Sequence, residues 1–179
     1  MLMHEQLSEQ IAAALLDIQA VSLSPKQLYT WASGIQSPIY CDNRITISYP
    51  RVRDLIAAGF ASMISELYPD AEVIAGAATG GIPHAAWVAE KLNLPMIYVR
   101  DKAKGHGKQN RVEGVLRPGQ KVVVVEDLIS TGGSSLKVAE GVHEAGGQTL
   151  SVAAIFSYGF TEASDAFRQS GIPFHSLTS

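Results

Sequence analysis

Four consecutive valines, Val122 to Val125, run straight into two carboxylates, Glu126 and Asp127, and then into the hydroxyl- and glycine-rich stretch LISTGGSS. An unbroken β-branched run fits a strand covered on both faces, as in a parallel sheet held between two layers of helices. In open sheets of that kind, ligands sit beyond the carboxyl ends of the strands. Glu126 and Asp127 are thus delivered to the edge where binding takes place, which gives a reason for ending the most apolar segment on two charges.

The rest of the chain repeats the alternation. EVIAGA, PMIYVR, KVVVVED and TLSVAAIFSYG read as strands. IPHAAWVAEKLN, opened by Pro83, SSLKVAEGVHEAGG, stopped by Gly146 and Gly147, and TEASDAFRQSG read as helices. Leu136, Ala139 and Val142 share the inward face of the second of these. Upstream, Leu7, Ile11, Ala14, Leu15 and Ile18 line one face of a first helix. Val52, Leu55, Ile56, Met63, Ile64 and Leu67 recur at helical spacing in another. Between these two, YTWASGIQSPIYCDNRITISYP carries Gly34, Pro38 and Pro50 as breakers, with short β-prone runs. The pattern predicts an α/β protein with a parallel sheet flanked by helices. Residues 1–50 carry the N-terminal helix and this breaker-rich segment, residues 51–179 the alternating core, and together they make one compact domain.

At 179 residues the chain is long enough to bury a core. Its formal net charge of -3 gives no global electrostatic case for nucleic acid, though a local basic patch suits an anionic small molecule. Cys41 is the single cysteine, which excludes an intramolecular disulfide and any multi-cysteine metal site. No apolar run approaches the roughly 18 residues that span a bilayer. The N-terminal stretch, with Glu5, Glu9 and Asp17, reads as a helix and not as a cationic leader. The expectation is a cytoplasmic protein with no membrane or nucleic-acid partner.

LISTGGSS has the makings of an anion cradle. It turns from the strand into a helix whose first N–H groups are free, its glycines let a ligand approach the backbone, and Ser130, Thr131, Ser134 and Ser135 add hydroxyl donors. It is neither a Walker A loop nor a G-x-G-x-x-G fingerprint. Two carboxylates beside such a cradle suit a sugar phosphate; taken alone, the residues also fit a strand that ends in an acidic turn and a helix cap. A second segment, DKAKGHGKQNRVEGVLRPG over 101–119, is too long for a tight connection, and long loops of this kind are often lids. Most charged loops are simply solvated. Here Gly105 and Gly107 provide hinges, and Arg100, Lys102, Lys104, His106, Lys108 and Arg111 outnumber Asp101 and Glu113 opposite a phosphate cradle.

The run VVVVEDLISTGGSS resembles the phosphoribosyl diphosphate (PRPP) signature of type I phosphoribosyltransferases. Further segments are similar to one branch of that family, the orotate phosphoribosyltransferases: the hood YTWASGIQSPIYCDNR, the loop GAATGGIP and the loop VRDKAKGHG. The resemblance implies the type I fold, a Rossmann-like parallel sheet with a small N-terminal hood. It implies that Arg100, Lys104 and His106 contact PRPP and that Glu126 and Asp127 meet the ribose hydroxyls. Leu128, Ile129, Ser130, Thr131, Gly132, Gly133 and Ser134 then hold the 5′-phosphate, and Ser130 also meets orotate. Ala78, Thr79, Gly80 and Gly81 hold the diphosphate. Lys104 and Asp127 are the implied catalytic residues, and Mg2+ is held through PRPP with no direct protein ligand.

The implied reaction joins N1 of orotate to C1 of the ribose, releasing diphosphate and giving orotidine 5′-monophosphate for pyrimidine (UMP) synthesis. The implied assembly is a homodimer whose catalytic loop serves the partner's site. Three positions depart from the family pattern. The second basic residue after the loop arginine is Asp101, a hood lysine that contacts orotate falls on Ala32, and an arginine near the end of the last strand falls on about Tyr158. Family members also continue past the position of Ser179. Two alternatives stay in view: a purine phosphoribosyltransferase, against which the hood ASGIQSPIY speaks, and a non-catalytic PRPP-sensing regulator, disfavoured by Lys104 and the negative net charge. His106 is a hydrogen-bond donor to diphosphate or a general acid. His84 reads as a local polar contact, and His4, His143 and His175 as surface residues. Trp31 and Tyr40 pack the hood or touch the base, Cys41 is a small buried residue, and Asp42 and Arg44 are candidates for an ion pair.

Overall fold

The computed structural model describes residues 2–31, 34–101 and 111–179. Helix α1 (Leu2–Asp17) leads into the hood, which consists of β1 (Val21–Leu23), β2 (Tyr29–Thr30), β3 (Gln36–Ser37), β4 (Ile39–Cys41) and a 3-10 helix (Asn43–Ser48). β1 pairs antiparallel with β4, and β2 with β3. The core follows as α2 (Pro50–Leu67), β5 (Val73–Ala77), α3 (Gly81–Leu92), β6 (Met96–Val99), β7 (Val112–Glu113), β8 (Lys121–Ile129), α4 (Gly133–Glu144), β9 (Gln148–Ser157), α5 (Thr161–Ser170) and β10 (Phe174–Thr178).

These strands form one sheet in the order β10-β9-β8-β5-β6-β7. Its pairings are parallel except at the edge, where the short β7 runs antiparallel to β6. The valine run occupies a central strand, as its composition predicts, and Val122 to Val125 have no exposed surface. Alternation along the strand divides the core: Val123 and Val125 pack with Ile11, Leu15, Ile56, Phe60 and Val88 on one face of the sheet. Val122 and Val124 pack with Val138, Val142, Val152 and Phe167 on the other.

The acids lie within β8, as the reading of KVVVVED as a strand has them, and the pairing with β9 runs two residues further, to Ile129 opposite Ser157. One expectation needs correction: His175, read as a surface residue, lies on the edge strand β10 and is half-buried, with Nε2 at 2.7 Å from the Tyr68 hydroxyl. Leu67 closes α2, as its helical spacing predicts, and keeps 45% of its surface exposed there.

The connection from β6 to β7 is pinned where it leaves and rejoins the sheet. The Arg100 N–H donates to the Arg111 carbonyl at 2.9 Å, and Arg111 Nε donates to the Arg100 carbonyl at 3.1 Å. Arg111 Nη2 also reaches the Lys137 carbonyl of α4 at 2.7 Å.

Candidate active site

Two helices of the core begin at the carboxyl ends of adjacent strands, α3 after β5 and α4 after β8. Neither has a side-chain cap on its first N–H groups. Unsatisfied N–H groups and the helix dipole make such termini anion sites. Both open onto one cleft of about 550 Å³, lined on the core side by Ala78, Thr79, Gly80, Ser130 and Ser134. Gly132, with φ at 83°, makes the turn into α4 in a conformation that side chains rarely adopt.

The acid pair lies between these termini, and strand alternation sends its members to opposite faces of the sheet. Glu126 continues the face of Val122 and Val124 toward α4. Its Oε2 accepts from the Ser135 hydroxyl at 3.3 Å, and its Oε1 accepts from the Asp127 N–H at 3.0 Å. It is only 6% exposed, and burial, followed by the neighbouring Asp127, holds its carboxyl well above the usual carboxylate range. Asp127 continues the face of Val123 and Val125 toward α3. A Cβ at Gly80 would collide with the Asp127 carboxylate, and one at Gly81 with the Val125 carbonyl. The two glycines are what allow the first turn of α3 to lie against the acid-bearing strand.

The hood closes the other side of the cleft with Trp31, Tyr40, Cys41, Asp42, Asn43 and Arg44. Among the hydrogen bonds that fasten it to the core, Asn43 Nδ2 donates to the Asp127 carbonyl at 2.6 Å, and the Cys41 N–H donates to the Tyr158 hydroxyl at 3.1 Å. Behind Asn43, whose carbonyl accepts from the Thr46 hydroxyl, the same hydroxyl lies 3.1 Å from His84 Nε2. His84 is fully buried, and burial pushes its pKa down to about 4, so the ring is neutral at pH 7. This chain of contacts from His84 to the acid strand was not legible beforehand, because residues 43, 46 and 84 share no spacing pattern. The Trp31 ring packs against Tyr158 with centroids 4.3 Å apart and planes tilted by 36°, and both border the cleft. Burial pushes the Tyr158 hydroxyl up to about 12, so it stays neutral.

Among the anticipated site residues, Ala78, Thr79, Gly80, Glu126, Asp127, Leu128, Ser130 and Ser134 line the cleft together. Ile129, Thr131, Gly132, Gly133 and Gly81 belong to the strand end and helix starts that frame it. Arg100 sits at the end of β6 with Nε at 3.3 Å from a Glu113 carboxylate oxygen. Lys104 and His106 lie outside the described residues, as do Lys102 and Ala32.

Residues 48–169 match the family model of the phosphoribosyl transferase domain, and the chain belongs to that family. Within it, the chain is 56% identical to the orotate phosphoribosyltransferase of Staphylococcus haemolyticus over 172 residues, covering 96% of this chain and 85% of the relative. The same identity and coverage hold for the orotate phosphoribosyltransferase of Staphylococcus aureus strain N315. Among solved structures, orotate phosphoribosyltransferase from Aeropyrum pernix superposes with a TM-score of 0.83 at 28% identity, over 94% of this chain and 92% of that one. Adenine phosphoribosyltransferase from Saccharomyces cerevisiae, with a TM-score of 0.71 at 20% identity over 93% and 99% of the two chains, shares the fold.

The burial of Glu126 has a measurable consequence. Its folded-state pKa is raised, so folding is favoured below the ordinary carboxylate pKa and loses that support as pH rises toward the raised value. Glu126→Gln, which keeps the shape without the charge, is expected to raise Tm at neutral pH, by about 2–4 °C for each kcal/mol recovered in a chain of this size. The gain should vanish below about pH 4, where the wild-type carboxyl is protonated in both states. Thermal melts of both proteins across pH test this; a variant less stable than wild type at pH 7 overturns it.

Proposed function

We infer that the chain is an orotate phosphoribosyltransferase, a pentosyltransferase that moves the 5-phosphoribosyl group from PRPP to N1 of orotate. The products are orotidine 5′-monophosphate and diphosphate. The observation that carries this reading is the single cleft into which two uncapped helix N-termini open on either side of Asp127. PRPP carries two phosphate groupings separated by a ribose, and the cleft offers an anion site for each with a carboxylate between them. The choice of orotate over a purine follows the identity with orotate phosphoribosyltransferases along nearly the whole chain.

In the proposed reaction the bond from ribose C1 to diphosphate loosens before N1 of orotate arrives. Positive charge develops on the sugar ring, as in glycoside cleavage, and negative charge on the departing diphosphate. Asp127 faces the ribose and counters the first. The backbone N–H groups at Ala78 to Gly81, with Arg100, Lys104 and His106, counter the second, preorganised donors being worth most where water is excluded. Ser130 to Ser134 hold the 5′-phosphate, and Ser130 also meets the base. Glu126 positions the cradle through Ser135. Mg2+ would be carried in on PRPP oxygens with no direct protein ligand, the oxygen-rich lining of Asp127, Ser130 and Ser134 suiting its bound waters, and would offset part of the diphosphate charge. A cytoplasmic homodimer completes the proposal, and the single buried Cys41 suits a reducing compartment.

The test is a scan of acceptor bases with PRPP and Mg2+, following diphosphate release. Orotate is expected to support turnover, with uracil slower by about 100-fold or more because it leaves carboxylate-binding donors unpaired. Hypoxanthine working better than orotate would move the protein to a purine reaction.

A further inference from the structure

We propose that Arg44 grips the carboxylate of the acceptor base and thereby sets the preference for orotate over bases that lack this group. The proposal rests on the orotate reading and names a residue for its least explained contact. Orotate presents a planar ring and one carboxylate, and an anion of that kind calls for a cation or a fork of N–H donors. Tyr158 meets little of the need: its hydroxyl is neutral and offers a single donor while it accepts the Cys41 N–H, and its ring packs tilted against Trp31.

Arg44 is the one cationic side chain among the described residues that line the cleft. It stands against Asp42, Glu126 and Asp127 there, and Asp127 lies within electrostatic reach of its charge. Its orientation is fixed from one side. Nε donates to Asp42 Oδ1 at 2.8 Å and Nη2 to Asp42 Oδ2 at 3.1 Å, a two-point pair along one edge of the guanidinium. A guanidinium has five N–H donors in a rigid fork, so the edge formed by Nη1 and Nη2 can take a second carboxylate while the first holds the plane. The side chain is 64% exposed. Its main chain is held too, since the Arg44 N–H donates to Asp42 Oδ1 at the start of the 3-10 helix.

The position is also tied to the reacting end of the site. Asn43, the preceding residue, donates to the Asp127 carbonyl, so Arg44 moves with the acid-bearing strand. The phosphate groups of PRPP already have two helix N-termini, on the core side of the cleft. Arg44 lies on the hood side, together with Trp31 and Tyr40, whose flat rings suit a planar base.

Arg44→Gln, Arg44→Lys and wild type should be compared with orotate and with uracil as acceptors, at varied PRPP. Arg44→Gln is expected to raise the KM for orotate by about 10- to 100-fold, the size of a charge-assisted contact, and to leave the KM for PRPP within about twofold. The ratio of kcat/KM for orotate to that for uracil should fall by the same factor. That ratio is taken within one protein, so it does not depend on how much of the variant is folded. Arg44→Lys, which keeps the charge and loses the fork, should lie between the two. An unchanged ratio in Arg44→Gln overturns the proposal, as does a rise in KM confined to PRPP, which would make Arg44 a phosphate ligand. If wild type itself fails to use orotate, the orotate reading falls first; if wild type uses it and Arg44→Gln does the same, only the role of Arg44 falls.

Discussion

Asp127→Asn is expected to lower kcat by about 10²- to 10³-fold, the scale of losing one preorganised electrostatic contact to a transition state. Tm should stay within about 2–4 °C of wild type, equivalent to no more than about 1 kcal/mol in a chain of this length. The two effects separate because of how Asp127 is held. Its structural link to the hood runs through its main-chain carbonyl, which accepts from Asn43, and the substitution leaves that bond in place. The side chain faces the cleft and the first turn of α3, and asparagine has the same outline. Steady-state rates set beside thermal melts decide the matter. Unchanged turnover with a large drop in Tm would make Asp127 a structural residue and remove it from the chemistry.

The second large effect concerns which subunit the connection between β6 and β7 serves. In the proposed homodimer Lys104 acts in the partner's site, and a two-fold axis makes that exchange reciprocal. Lys104→Ala and Asp127→Asn should each be nearly inactive. After dissociation, mixing and reassociation, a mixed dimer holds one site with both residues intact and one with neither. Random pairing then restores about a quarter of wild-type activity. If each connection closes over its own subunit, every site keeps one lesion and mixing restores nothing, which would sink the shared site and leave the reaction as proposed.

The sheet was legible because its signals are local. Val122 to Val125 announce a doubly covered strand, and glycines at 132, 146 and 147 mark where helices start and stop. The cradle was legible for the same reason, since one continuous stretch carries strand, acids and loop. What escaped was whatever depends on distant residues. β10 contains His175, Ser176 and Thr178, a mixed composition for a strand, and it is held by pairing with β9. The separation of Glu126 into a buried bracket and Asp127 into a cleft-facing carboxylate follows from strand parity once β8 is known to continue to Ile129. The resemblance singled out Asp127 as catalytic but gave no geometry for the difference. The hood's fastening through Asn43 and Tyr158 joins positions far apart in the chain, and no periodicity announces it.

The pinning of Arg100 to Arg111 separates two properties of the segment between them. The ends meet through one main-chain hydrogen bond that continues the pairing of β6 with β7, so the distance the segment must bridge is set at 2.9 Å from N to O whatever lies between. For a segment closed in this way, doubling its length adds only about 0.6 kcal/mol of closure entropy. Its length is therefore a nearly free variable for the fold, which selection can set for reach and for the side chains the segment carries, with the pairing of β6 and β7 indifferent to the change.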